Sequence, residues 1–229
     1  MADNELSSEV VRAEEGEVFD IELEEDILKR NRELAEENRR ILNKYGITAI
    51  DVMGSIGSGK TSLIEALAER LKDRYRIAVI AGDLTTTIDA MRIKRHGITS
   101  IQVNTGKECH LDANLISKAL GRLRLEDIDL LFIENVGNLI CPAEFDLGSH
   151  KRIVVISVTE GEYMVIKHPY IFLNSDVAVI NKIDLAGAME VNPEKLAADA
   201  KQINPKIRVV LTSIKRDIGI KGVIEALNL

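Results

Sequence analysis

The sequence predicts a doubly wound α/β fold, a mainly parallel sheet flanked by helices and preceded by an N-terminal helix. Three observations carry that reading. Seven short apolar runs alternate with stretches of helical composition from Ile47 onward. Most of these runs lack the polar alternation of a half-solvated strand, so both of their faces must be covered. The first run enters a glycine-rich turn and leaves it in a helical stretch, which places ligand chemistry at the carboxyl ends of the strands.

Taken in order, residues 1–25 are acid-rich and poorly periodic, which predicts a flexible N-terminal tail. Asp26 to Tyr45 is rich in helix formers, with apolar positions at Ile27, Leu28, Leu34, Ala35, Ile41 and Leu42. That spacing predicts an amphipathic helix stopped by Gly46. The strand runs are Thr48–Met53, Ile77–Ala81, Ile101–Val103, Leu130–Ile133, Ile153–Val158, Val177–Ile180 and Val209–Thr212. Between them Thr61–Leu71, Leu111–Leu123 and Pro193–Ile203 have helical composition. No linker or repeat divides the chain, so residues 26–229, the first helix included, form one expected domain.

Composition narrows the function classes. Apolar residues make up 45% of the 229, aromatics 3%, and Trp is absent, so the core must be aliphatic. A disordered, collagen-like or disulfide-stapled chain is excluded. No apolar run approaches the roughly 20 residues of a membrane span, and the N-terminus is acidic where a signal peptide is basic. The expectation is a cytoplasmic protein with no membrane partner and reduced thiols. Of the net charge of −7, residues 1–40 hold 14 acidic and 6 basic side chains, so the rest is nearly neutral. Without a basic footprint no nucleic-acid partner is expected.

The strongest motif is Gly54-Ser55-Ile56-Gly57-Ser58-Gly59-Lys60-Thr61, a phosphate-binding P-loop followed by Ser62. Its glycines let backbone amides curl around phosphate oxygens, Lys60 reaches the β and γ phosphates, and the Thr61 hydroxyl is a Mg2+ ligand. A second carboxylate for the metal is expected at a strand tip, where Leu130–Ile133 ends in Glu134. Asp83, after the second strand, is a further candidate for Mg2+ or water positioning. Asn181-Lys182-Ile183-Asp184 ends the sixth strand and sets the base. The Asp184 carboxylate can accept both N1–H and the exocyclic amine of guanine, a donor pair that adenine lacks. Asn181 braces the loop and Lys182 lies along the base plane, while Ser213 and Ile214 offer a backbone amide to the guanine oxygen. The expected ligands are GTP or GDP with Mg2+.

Cys109-His110 and Cys141 supply two sulfurs and one nitrogen to a borderline or soft divalent metal. Three ligands are one short of a closed tetrahedral site, which leaves either water or a second copy of the chain as the completion. Inert buried thiols are the alternative. His96, His150 and His168 have no paired ligand at useful spacing and read as surface or loop histidines.

Together Gly54–Thr61, Gly82-Asp83-Leu84-Thr85-Thr86, Asn104-Thr105-Gly106-Lys107-Glu108-Cys109-His110-Leu111-Asp112-Ala113, Phe132–Pro142 and Asn181–Asp184 closely resemble the HypB family of nickel-insertion GTPases, P-loop NTPases of the SIMIBI class. The resemblance runs from about residue 28 to the C-terminus. It implies slow, Mg2+-dependent GTP hydrolysis that accompanies nickel delivery to nickel-iron hydrogenase precursors, and a homodimer favoured by GTP and by metal. It also implies a HypA-type nickel metallochaperone and the hydrogenase large-subunit precursor as partners. By position, Cys109, His110 and Cys141 correspond to the family's Zn2+ or Ni2+ ligands, while Lys60, Asp83 and Glu134 are the catalytic candidates read from the phosphate loop and the strand tips. The chain has no Cys or His before His96, so the N-terminal nickel-binding and storage stretches of many members are missing. Asn114 stands where some relatives carry His, and Tyr163 where an acidic residue is expected. The alternatives are a urease-accessory nickel GTPase, whose Cys-Pro-His motif is absent, and a P-loop kinase.

Overall fold

The computed structural model describes residues 21–83, 98–106 and 109–229. Seven strands, β1 (Thr48–Gly54), β2 (Ile77–Asp83), β3 (Thr99–Asn104), β4 (Leu130–Glu134), β5 (Lys151–Ser157), β6 (Val177–Asn181) and β7 (Arg208–Leu211), form one sheet in the order β3-β2-β4-β1-β5-β6-β7. Every pairing is parallel, so the sheet is more uniform than the mainly parallel one expected. The described helices are α1 (Ile21–Lys44), α2 (Lys60–Leu71), α3 (Ala113–Leu120), α4 (Cys141–Glu144), α5 (Met164–Lys167), α6 (Pro169–Leu173), α7 (Pro193–Ile203) and α8 (Ile220–Leu227).

Alternate strand residues point to opposite faces, and both faces are covered. Ile50, Val52, Phe132 and Val155 pack with Leu63 and Leu67 of α2 and Val223 of α8. On the other face Ala49, Ile80 and Leu131 meet Leu42 of α1 and Ile116 of α3, while Met53, Val154 and Ile156 meet Phe172 of α6 and Leu196 of α7. This is why the central strands read as unbroken apolar runs. The strand order reverses at β1, which lies between β4 and β5, and a crevice opens beyond the carboxyl ends of strands at such a point.

Helix α1 is described from Ile21 onward, ahead of the expected start at Asp26. Part of the acid-rich segment assigned to the tail is therefore helical. Its buried stripe is Asn31, Ala35, Asn38 and Leu42, while Ile27 is exposed. The two asparagines hold backbone rather than apolar surface. Asn31 accepts from the Ala113 amide and donates to the Asp146 carbonyl, both at 2.8 Å. Asn38 donates to the carbonyls of Ala113 and Leu147. Helix α3 is shorter than expected because Asp112 caps it, accepting from the Leu115 amide at 2.7 Å, and Gly121 ends it. Strand β5 stops at Ser157, whose hydroxyl and the Glu160 carboxylate form a capping box that turns the chain. Among the described residues no helix is long and apolar enough to cross a membrane.

His150 is a structural tie rather than a loose loop residue. Its Nδ1 accepts from the Ala49 amide at 3.0 Å, and its Nε2 faces Asn43 Oδ1 at 3.0 Å, so the ring joins α1 to β1 as the neutral tautomer protonated on Nε2. Burial, then the Arg39 charge, lowers its pKa below the usual 6.5. The unfolded chain therefore binds this proton first on acidification, and the contribution of the neutral ring is present above 6.5 and lost as pH falls below it. The drop in melting temperature between about pH 7.5 and about pH 5.5 should be smaller in His150→Gln than in the wild type. An equal drop would show that the ring does not carry this dependence.

Candidate nucleotide and metal site

Gly54 to Thr61 turns from β1 into α2, and its glycines are required by geometry. Gly59 caps α2 at φ 110, in the left-handed region. A Cβ added there would lie 2.4 Å from Asn181 Nδ2. That amide donates to the Ser58 carbonyl at 2.9 Å, so Asn181 braces the phosphate loop from the far side of the crevice. Lys60 Nζ curls across the loop to the carbonyls of Gly54 and Ser55, at 3.1 and 3.0 Å. Thr61 Oγ1 donates to Glu134 Oε1 at 2.6 Å, bringing two of the three expected Mg2+ ligands into contact. Asp83 ends β2 at the same edge of the sheet, but its side chain lies outside the described residues, as do Leu84, Thr85, Thr86, His96, Lys107, Glu108 and the stretch before residue 21.

Gly59, Lys60, Thr61, Glu134 and Asn181 line a cleft of about 780 Å³ that also takes in Ile56, Gly57, Ser62, Asn135, Lys182, Asp184, Ser213, Ile214 and Lys215. At the base end Asp184 Oδ1 accepts the Ser213 hydroxyl at 2.5 Å and Oδ2 faces Arg216 Nε at 3.3 Å. The Ser213 bond, helped by the nearby Arg216 and Lys215 charges, lowers the Asp184 pKa and keeps the carboxylate an ionised acceptor. Lys182 sits in the left-handed region at φ 60. The backbone amides of Ser213 and Ile214 are already engaged, the first by the Ile218 carbonyl and the second by Asn181 Oδ1. Ser213 meets the base end through its hydroxyl instead.

Cys109, His110 and Cys141 converge, with their ligand atoms within 4.8 Å of one another. The two sulfurs are 3.0 Å apart, and Cys109 Sγ lies 3.9 Å from His110 Nδ1. Two thiolates at about 2.3 Å from a tetrahedral zinc stand about 3.8 Å apart, so a metal fits after a sub-ångström opening. The hydrogen bond with Cys109, followed by burial, raises the Cys141 pKa, so this thiol gives up its proton less readily than a free one and metal binding must displace it. His110 stacks on Phe145 with ring centroids 3.8 Å apart. Asn114 is exposed on the first turn of α3, Tyr163 is half exposed under Lys195, and His168 joins α5 to α6.

Four residues of this region were not singled out from the sequence. Asn135 Oδ1 accepts from the Leu111 and Val136 amides, and its Nδ2 donates to Asp51 at 3.2 Å. Asp51 is fully buried beside Arg152. Glu160 caps the Ser157 amide, and burial raises its carboxyl pKa against the opposing pull of that amide and of the Lys182 and Lys60 charges. Asp51 alone left a signal, an acid in the middle of an otherwise apolar strand.

The sequence pattern of the CobW/HypB/UreG nucleotide-binding domain matches residues 48–211. The chain is 57% identical over 205 residues to the probable hydrogenase maturation factor HypB of Methanocaldococcus jannaschii, covering 90% of this chain and 93% of that protein. The crystal structure of the hydrogenase maturation factor HypB from Archaeoglobus fulgidus superimposes with a TM-score of 0.82 at 46% identity, covering 87% of this chain and 98% of that one. That of HypB from Helicobacter pylori in complex with nickel gives 0.82 at 35% identity, over 87% and 94%. With the fold, the phosphate loop and the base-end tetrapeptide all inside these matches, the chain belongs to the HypB family of CobW/HypB/UreG nucleotide-binding proteins.

Proposed function

We propose that the chain is a GTP-hydrolysing metallochaperone that assists nickel insertion into nickel-iron hydrogenase precursors, with nucleotide state coupled to a Cys109–His110–Cys141 metal site and to dimerisation. The observation that carries this reading is adjacency. Glu134 touches Thr61 at the phosphate end of the cleft, and seven residues further along the same segment Cys141 meets Cys109. Within that segment Asn138 bridges back to Gly54 of the phosphate loop, and its side chain donates to the Cys109 carbonyl. A segment that responds to the γ-phosphate therefore carries a ligand of the metal site.

The cleft fits GTP with Mg2+. The glycine cradle and Lys60 face the triphosphate, Thr61 and Glu134 present a hydroxyl and a carboxylate side by side, and Asp184 is an ionised acceptor at the base end. Mg2+ bound there neutralises charge on the β and γ phosphates. For Lys60 to reach them it must leave the Gly54 and Ser55 carbonyls, so the loop exchanges internal bonds for phosphate contacts. Asp83 is proposed to position the attacking water or the metal. With no arginine among the described residues that line the cleft, basal turnover is proposed to be slow, on the order of 10⁻⁴ s⁻¹ as for unassisted P-loop GTPases. Nickel is the cargo, and Zn2+ suits the same donors. A HypA-type metallochaperone and the hydrogenase large-subunit precursor are the proposed partners, and the cytoplasm the proposed compartment.

Asp184→Asn tests the base assignment. Losing a charged acceptor should weaken GTP and GDP binding by about 10- to 100-fold while leaving the melting temperature nearly unchanged. Equal affinity of the wild type for GTP and ATP would overturn guanine selectivity.

A further inference from the structure

Asp51 and Arg152 lie outside the lining of the nucleotide cleft, and Asn135, which reaches the cleft wall, joins them to the segments that carry the metal cluster. Asp51 in β1 and Arg152 in β5 are paired across the parallel ladder. The carboxylate is fully buried and stands 3.5 Å from the guanidinium, whose side chain is 16% exposed. Burying such a pair contributes little stability, because desolvation offsets the attraction, and apolar residues of similar size often serve as well. The geometry of this pair shows what else it does.

Arg152 donates to the carbonyl of Pro142, next to Cys141, at 2.8 Å, and to those of Ala143 and Phe145 at 3.5 and 3.4 Å. These are orphan carbonyls of the four-residue helix α4, which is too short to satisfy them internally. Phe145 is also the ring on which His110 stacks. On the other arm Asn135 accepts from the Leu111 amide, next to His110, at 3.2 Å. Asp51 faces both, taking the Asn135 amide at 3.2 Å and the Arg152 charge. One buried carboxylate thus joins the segment that carries Cys109 and His110 to the segment that carries Cys141. Burial pushes its pKa up to about 6 against the opposing Arg152 charge and Asn135 bond, so at neutral pH it is mostly the anion that holds Arg152.

We infer that Asp51, Arg152 and Asn135 form a positioning unit that sets the separation of Cys141 from Cys109 and His110 and so controls metal affinity without touching the metal. The inference rests on the proposed metal site. The planar fork of Arg152 serves several carbonyls at once, which the point charge of Lys cannot do.

The test uses the full chain under reducing conditions at neutral pH. Ni2+ affinity is measured by competition with a chromophoric chelator, the nickel–thiolate charge-transfer band is recorded, and GDP affinity is measured on the same samples. Arg152→Lys and Asp51→Asn should each weaken Ni2+ binding at least about tenfold and shift or bleach the band, with GDP affinity within about twofold of wild type. In a Cys109→Ala background neither substitution should produce a further loss, since the unit acts only through that site. Wild-type Ni2+ affinity in both variants, with Cys109→Ala impaired, overturns the positioning role and leaves the metal site standing. Parallel losses of Ni2+ and GDP binding overturn it in favour of a general packing role. Wild-type Ni2+ binding by Cys109→Ala overturns the metal-site reading itself. If Arg152→Lys does not fold, Asp51→Asn, which keeps the volume, is judged alone by the same criteria.

Discussion

Replacing Lys60 or Thr61 by Ala is expected to lower Mg2+-dependent GTP hydrolysis by about 100- to 1,000-fold, the loss that follows removal of a single preorganised contact to transition-state charge. Lys60 already lies across the mouth of the loop, and its ammonium needs only to exchange two carbonyls for phosphate oxygens. Thr61 Oγ1 is held by Glu134 Oε1, so its removal takes away one proposed Mg2+ ligand and loosens the carboxylate beside it. The fold should survive, because neither side chain belongs to the apolar clusters on the two faces of the sheet. Single-turnover hydrolysis and melting curves on the same preparations check both points. Undiminished turnover in both variants would refute the assignment.

The second large effect is expected at the metal cluster. Cys109→Ala, His110→Ala and Cys141→Ala should each reduce bound Zn2+ or Ni2+ and weaken affinity by on the order of 100-fold, since each takes one of only three ligands. GTP binding to the monomer should be spared, because none of the three lines the nucleotide cleft. The wild-type affinity should fall as pH drops, since both thiols must lose protons to bind metal and that of Cys141 is raised further by its partner. If a second copy completes the site, metal and a non-hydrolysable GTP analogue should each promote dimers. Linkage then requires that the analogue tighten metal binding by the factor by which metal tightens the analogue. Size-exclusion chromatography with metal analysis, in GDP and in the analogue, reads both quantities. Wild-type metal content in the double cysteine variant would remove the site, and identical nickel affinity in the two nucleotide states would remove the coupling.

Most of the candidate nucleotide site could be proposed from the sequence because its chemistry is local. Gly54 to Thr61 closes on itself within eight residues, and a backbone that must curl around phosphate admits few residue types. Asp184 likewise stands in a tetrapeptide at a strand tip. The seven strands were legible for a related reason, since a sheet buried on both faces leaves an unbroken apolar run for each strand. Local signals failed where polar residues face inward. Asn31 and Asn38 lie on the buried side of α1, whereas its apolar count pointed to Ile27, which is exposed.

The sequence by itself thus determined the α/β class, the phosphate loop, the candidate base-end acceptor and the identity of the three candidate metal ligands. The tertiary structure alone decided that Cys109 and Cys141, 32 residues apart, meet with their sulfurs 3.0 Å from each other. It also decided that Asn181 braces the phosphate loop 123 residues away, and that Asp51 ties Arg152 to Asn135 beneath the cluster. The physical reason is range. Torsional preference and strand or helix period act over a few residues and leave a mark in sequence order. A buried polar group instead takes whichever partner the sheet order brings beside it, and that order is fixed only when all seven strands have paired.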